Sequence, residues 1–150
     1  MKKYIFKLLP LLTFALSFLF VLLPVNSFSK PDIIKVVFQV NDKDHKIIES
    51  GFKNLKNMLE TAKNEKQELL INVVVFGLSM KYFTKDSPEN FSDVLSKYTT
   101  DKNIKFLACN NTMKQMKLTK DNLLTGFSVV PSGAWEVIKL QKQGYQYFKP

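Results

Sequence analysis

One cysteine, Cys109, stands in the run Phe106-Leu107-Ala108-Cys109-Asn110-Asn111-Thr112-Met113-Lys114, where apolar residues give way to polar ones that begin a helix. A thiol at that junction meets N–H groups with no intrahelical partner and the positive end of the helix dipole. Both favour thiolate over thiol, and Lys114 would add to them. Nucleophilic attack and sulfur exchange are the chemistry of such a thiolate. The rival reading is packing, because free cysteine is among the most buried residue types. His45 is the one histidine of the chain. A Cys–His nucleophile–base pair is the sharper reading of it, and a solvated loop histidine the commoner one.

Other templates fail. One cysteine and one histidine do not complete a Cys/His zinc site, so no metal is expected. One cysteine closes no internal disulfide; in an exported chain it points to a free thiol or an intermolecular bridge. There is no Gly-x-Ser-x-Gly elbow and no phosphate-binding glycine loop, and no cofactor is called for. Asp42, Asp44 and Glu49 are loop and helix-start charges without a second carboxylate partner, so no acid/base pair is read from them.

The elements that must position Cys109 follow from periodicity. The β-branched, nearly all-apolar Ile33–Val40 reads as a strand covered on both faces, as does 68–77, closed by Gly77. Between them, Ile47, Ile48, Phe52, Leu55, Met58, Leu59 and Ala62 recur at three and four, which predicts one helix face from Lys46 to about Asn64, capped by Asp44. The stretch from Leu78 to Ser87 reads as a loop with one helical turn. Ser87 and Pro88 then predict an N-cap and first position of a helix whose inner face is Phe91, Val94, Leu95 and Tyr98. A third strand runs to Cys109, followed by a short helix and a further turn capped by Thr119. A fourth strand ends at Pro131. A helix capped by Ser132 and stopped by Gly144 precedes a short fifth strand bearing Tyr145 and Tyr147. Trp135 is assigned to the core, facing the sheet, and the two tyrosines to sheet packing or subunit contacts.

This alternation predicts an α/β fold, a three-layer sandwich on a mainly parallel five-stranded sheet with a flavodoxin-like appearance. Parallel sheets bind ligands at the carboxyl ends of their strands. That edge would carry Asn41 and Asp42 after strand one, Gly77 after strand two, Cys109, Asn110, Asn111 and Thr112 after strand three, and Pro131, Ser132 and Gly133 after strand four.

The N-terminus has a different character. Lys2, Lys3 and Lys7 precede an uncharged apolar run that lasts until Lys30. A basic segment followed by an apolar one predicts a signal peptide over residues 1–29, cleaved after Ser29. The alternative is an uncleaved N-terminal membrane anchor, since residues 8–25 are about the length of a minimal span. On either reading the domain, 30–150, is exported: periplasmic or secreted, or anchored to the membrane and facing outside the cytoplasm. That domain keeps 19 of the 22 basic residues and all 13 acidic ones, a formal charge of about +6. Every basic residue is lysine, and the lysines are scattered rather than striped. Without the arginine fork and with an export segment, no nucleic-acid partner is expected. Membrane contact is expected only through the N-terminal segment.

The ordered set Lys35–Asp42, 54–59, Val73–Gly77, 104–114 and 129–150 resembles the DsrE/DsrF-like family, in particular its exported branch. Its most specific pieces are Ala108-Cys109-Asn110-Asn111-Thr112, Pro131-Ser132-Gly133 and the terminal Gly144-Tyr145-x-Tyr147-x-Lys149-Pro150. The resemblance implies a parallel α/β sandwich and a symmetric homo-oligomer, a trimer or hexamer. It also implies, from sulfur-relay members, a cysteine near a strand end that carries sulfur as a persulfide between donor and acceptor proteins. Cys109 is the residue here that matches, with Asn110, Asn111 and Thr112 shaping its pocket. Relay members follow their cysteine with small residues and an arginine-bearing helix, whereas asparagines and lysines follow here. The competing expectation is a small-ligand-binding or assembly module of the same fold, in which Cys109 only packs.

Overall fold

In the computed structural model, which describes residues 33–150, the strands are β1 (Ile34–Val40), β2 (Leu69–Val75), β3 (Ile104–Cys109), β4 (Phe127–Val130) and β5 (Gln146–Phe148). They form one sheet in the order β4-β3-β2-β1-β5, and every pairing is parallel. The signal peptide or anchor expected over residues 1–29 lies outside the described residues. Among the described residues no helix is long and apolar enough to cross a membrane.

The chain order explains which helix covers which face. From β1 to β4 each new strand is added on the same side of the last, through α1 (His45–Asn64), a 3-10 turn (Gly77–Phe83) with α2 (Ser92–Ser96), and α3 (Asn110–Gln115). The last connection, α4 (Gly133–Lys142), runs back across the sheet to place β5 beside β1. Right-handed crossovers that reverse direction must change faces. The core divides accordingly. A large cluster holds Phe38, Phe52, Leu55, Phe83, Phe91 and Phe106 with Met113 of α3. A small one holds Val37, Val74 and Leu107 against Val137 and Leu140 of α4.

Local chemistry sets the ends. Asp44 caps α1 by accepting from Lys46 N–H at 2.8 Å, and Ser132 caps α4 by accepting from Trp135 N–H at 3.4 Å. Gly144 ends α4 at φ +87°. Gly51 lets the chain's last residue dock on α1, since a Cβ there would lie 2.6 Å from Pro150 Cγ.

Four details differ from the sequence reading. The helix expected from Ser87 begins at Ser92. Asn90 displaces it: its amide donates to Ser87 O, its Oδ1 accepts from Ser92 N–H, and Phe91 N–H is taken by Tyr82 O. The loop after Gly77 is a full 3-10 turn that buries Ser79, Met80, Tyr82 and Phe83. Ile47 lies off the inner face of α1 and is exposed, whereas Ile48, Phe52 and Leu55 face the sheet. Trp135 is 59% exposed and is not core: Gly133, Val137 and Leu140 form the buried face of α4, and Trp135 points away from it with Ile138.

Candidate functional site at the end of β3

Cys109 is the last residue of β3 and pairs with Val130 of β4. The chain leaves β3 towards the face of α1 and leaves β4 towards the face of α4, so the connections diverge between these two neighbours. In parallel sheets a crevice opens where adjacent connections part in this way. The sulfur sits at that point.

The groups around it come from two connections. Gly133 N–H comes from the start of α4, and Thr112 N–H, Thr112 Oγ1 and Asn111 N–H come from α3. Burial is the largest influence on the thiol and pushes its pKa up; hydrogen bonding of the anion by these four groups outweighs it and leaves the pKa below the ordinary thiol value. The residue is 5% exposed and packs within the larger core cluster. It is a buried thiol at the edge of the core, with donors of two connections around it.

Backbone shape permits this arrangement at two glycines. A Cβ on Gly133 would lie 2.8 Å from both Cβ and Cδ1 of Phe76, so only glycine lets the start of α4 come this close to the end of β2. Gly77 has φ +66°, a left-handed conformation that glycine adopts without strain, and its N–H donates to Thr112 Oγ1 at 3.0 Å.

Of the expected site residues, the fold brings Cys109, Asn111, Thr112 and Gly133 together directly and Gly77 through Thr112. Ser132 serves as the cap of α4. Asn110 begins α3 half-buried, and Pro131 is exposed at the turn before α4. His45 is elsewhere engaged: its ring stacks on Phe91 at 4.5 Å and meets the edge of Tyr82 at 5.1 Å. No hydrogen bond joins it to Cys109, so the nucleophile–base pair does not form. One neighbour was not legible in the sequence: Phe76, which packs on Gly133. Asn41, expected on this edge, follows β1 with a buried Oδ1 that has no hydrogen-bond partner. Among the described residues no cluster of His, Cys, Asp or Glu could hold a metal ion.

The family model described as the DsrE/DsrF-like family matches residues 35–150. Among solved structures, a protein of unknown function from Methanobacterium thermoautotrophicum is similar, with a TM-score of 0.69 at 26% sequence identity. The likeness covers 78% of this chain and 99% of that one. No curated protein matches the chain in sequence.

Proposed function

The chain belongs to the DsrE/DsrF-like family, and from that premise we propose that it handles sulfane sulfur, carried as a persulfide on Cys109. The family suggests a function related to sulfur relay. The observation that carries the proposal to this residue is the position of buried Cys109 at the end of β3, where the connections from β3 and β4 diverge; the lowered pKa of its thiol agrees with it. In the step proposed, Cys109 thiolate attacks the outer sulfur of a persulfide or polysulfide donor. A new S–S bond forms, the donor's S–S bond breaks, and the donor leaves as its thiolate. No net oxidant is consumed. The same donors that hold the thiolate would hold the persulfide anion.

Incubation with polysulfide followed by intact mass tests this. A gain of one sulfur in the wild type that is absent from Cys109→Ser supports it; no gain, or an equal gain in both, overturns it. A second reading is favoured by the 5% exposure of Cys109. In it the fold is a binding or assembly module, and Cys109→Ala leaves its function intact.

Two companion proposals go with the first. The domain acts outside the cytoplasm, which N-terminal sequencing of the fractionated protein would establish by the position of any cleavage. It acts as a homo-oligomer, a reading supported by the exposed Trp135 and Ile138 on α4 and tested by sedimentation velocity of the wild type against Trp135→Glu.

A further inference from the structure

The helical connections from β1 to β4 share one face of the sheet, and each carries the chain further from β1. β5 is added last, on the other side of β1, through α4 on the opposite face. Among the described residues, then, no helix covers β5 and the outer flank of β1 on the α1 face. β5 is also short. It pairs with Val36, Val37 and Phe38 and leaves Ile34 and Lys35 without a strand beside them on that side. A groove of about 520 Å³ opens there, within the range of roughly 300–1,000 Å³ typical of small-molecule sites. Its floor is Ile34 and Val36 of β1, Leu69 of β2 and Phe148 of β5, and Met58 and Ala62 of α1 form its apolar wall.

The rim has a charge pattern of its own. Asn54, Asn57, Thr61 and Glu65 recur at three and four along α1 and its C-cap and line the groove. The same stretch of chain is rich in lysine, yet Lys46, Lys53, Lys56, Lys63 and Lys66 line none of it. The one charged lining residue is Glu65, at the C-terminal end of α1. A helix C-terminus adds partial negative charge of its own. In a domain whose basic residues outnumber its acidic ones, this is an apolar groove that ends in negative charge.

We propose that this groove is a binding site for a small amphiphile with an apolar body and a cationic head. The body lies along Ile34, Val36, Leu69 and Phe148, and the head meets Glu65 and the end of α1. An anionic head would meet Glu65 as a like charge, and a neutral one would gain nothing from it. β2 separates β1 from the β3 that carries Cys109, so the inference is independent of the sulfur reading.

The test uses octyltrimethylammonium, 1-octanol and octanoate, one apolar chain with three heads, each added to the full-length chain below the concentration at which it aggregates. The readout is the 13C-methyl signals of methionine. Met58 reports the groove wall. Met116 is 37% exposed at the end of α3, between β3 and β4, and reports non-specific adsorption. Met58 is expected to move to saturation while Met116 stays. The ammonium should half-saturate at about fivefold lower concentration than octanoate, with octanol between them. Glu65→Gln, at an exposed position, should bring the two charged probes within about twofold and leave octanol unchanged. Asn57→Lys, also exposed, should weaken the ammonium and strengthen octanoate. A Met58 signal that no probe moves overturns the inference, as does equal movement of Met58 and Met116. A head-group preference that survives Glu65→Gln unchanged overturns it too.

Discussion

Gly133→Ala places one methyl group where the structure has no room for it. The added Cβ would lie 2.8 Å from Phe76 Cβ, against the 3.4 Å at which ordinary contact begins, so the start of α4 must retreat by about 0.6 Å. Phe76 Cβ is fixed to the backbone of the residue after β2 and cannot swing aside. Alanine should favour a helix over glycine by up to about 1 kcal/mol, but overpacking of this kind costs about 1–3 kcal/mol. The variant is therefore expected to be destabilised by up to about 2 kcal/mol once the helix gain is subtracted, read from urea unfolding. The sharper effect is on the thiol, because the displaced N–H is the largest of the influences that lower the pKa of Cys109. Weakening one hydrogen bond to a charged sulfur is worth about 1 kcal/mol, or about fivefold in thiolate population below the pKa. The measurement is the rate of iodoacetamide alkylation against pH, for the wild type and Gly133→Ala at equal folded fraction. The expected result is a profile moved to higher pH and a fall of about fivefold at pH values below its wild-type midpoint. Gly144→Ala is the control: its added Cβ meets nothing within 4 Å, although φ +87° strains it. It should lose stability without moving the thiol. A folded Gly133→Ala variant with an unchanged pH profile would refute the account of the site.

Two further outcomes follow from the same contacts. The folded state lowers the pKa of Cys109, so between that value and the ordinary thiol value of about 8.5 the unfolded chain binds more protons. Stability contributed by Cys109 is therefore present above about pH 8.5 and is lost as pH falls through the folded value; urea unfolding of the wild type minus Cys109→Ser, repeated across that range, should show this sign. At Gly51, deletion of Pro150 removes the ring that an added Cβ would strike at 2.6 Å. In thermal unfolding Gly51→Ala should then be better tolerated in the shortened chain than in the full one, where Pro150 must give way; in both, Phe38 Cζ at 3.2 Å opposes the helix gain of up to about 1 kcal/mol.

The sheet was legible because its strands are short β-branched runs between helix-period segments, and a parallel sheet with both faces covered demands that pattern. The edge at the carboxyl ends of its strands follows from chain direction alone, and that edge carries Cys109, Thr112 and Gly133. Other features depend on meetings that a single sequence does not reveal. The Ser-Pro signal at Ser87 is a sound helix start, but the Asn90 side chain takes the local hydrogen bonds first. The sequence reading has Trp135 in the core, facing the sheet. The face of α4 was decided instead by Gly133, which must lie against Phe76 and so rotates Val137 and Leu140 inward and Trp135 outward. The bond from Gly77 to Thr112 joins two connections on neighbouring strands, and nothing in either stretch announces the other.

Helix α4 is held on its face of the sheet by the smaller of the two core clusters, so it has less apolar anchorage than the elements on the opposite face. Segments with little such anchorage open at lower free energy than the whole fold. Lifting the start of α4 would uncover Cys109 and in the same motion withdraw Gly133 N–H from it. Accessibility and ionisation then oppose each other: the shielded sulfur is the better anion, and the reachable one is the poorer. A reagent that waits for the helix to lift would meet a thiol already reverting towards its ordinary acidity.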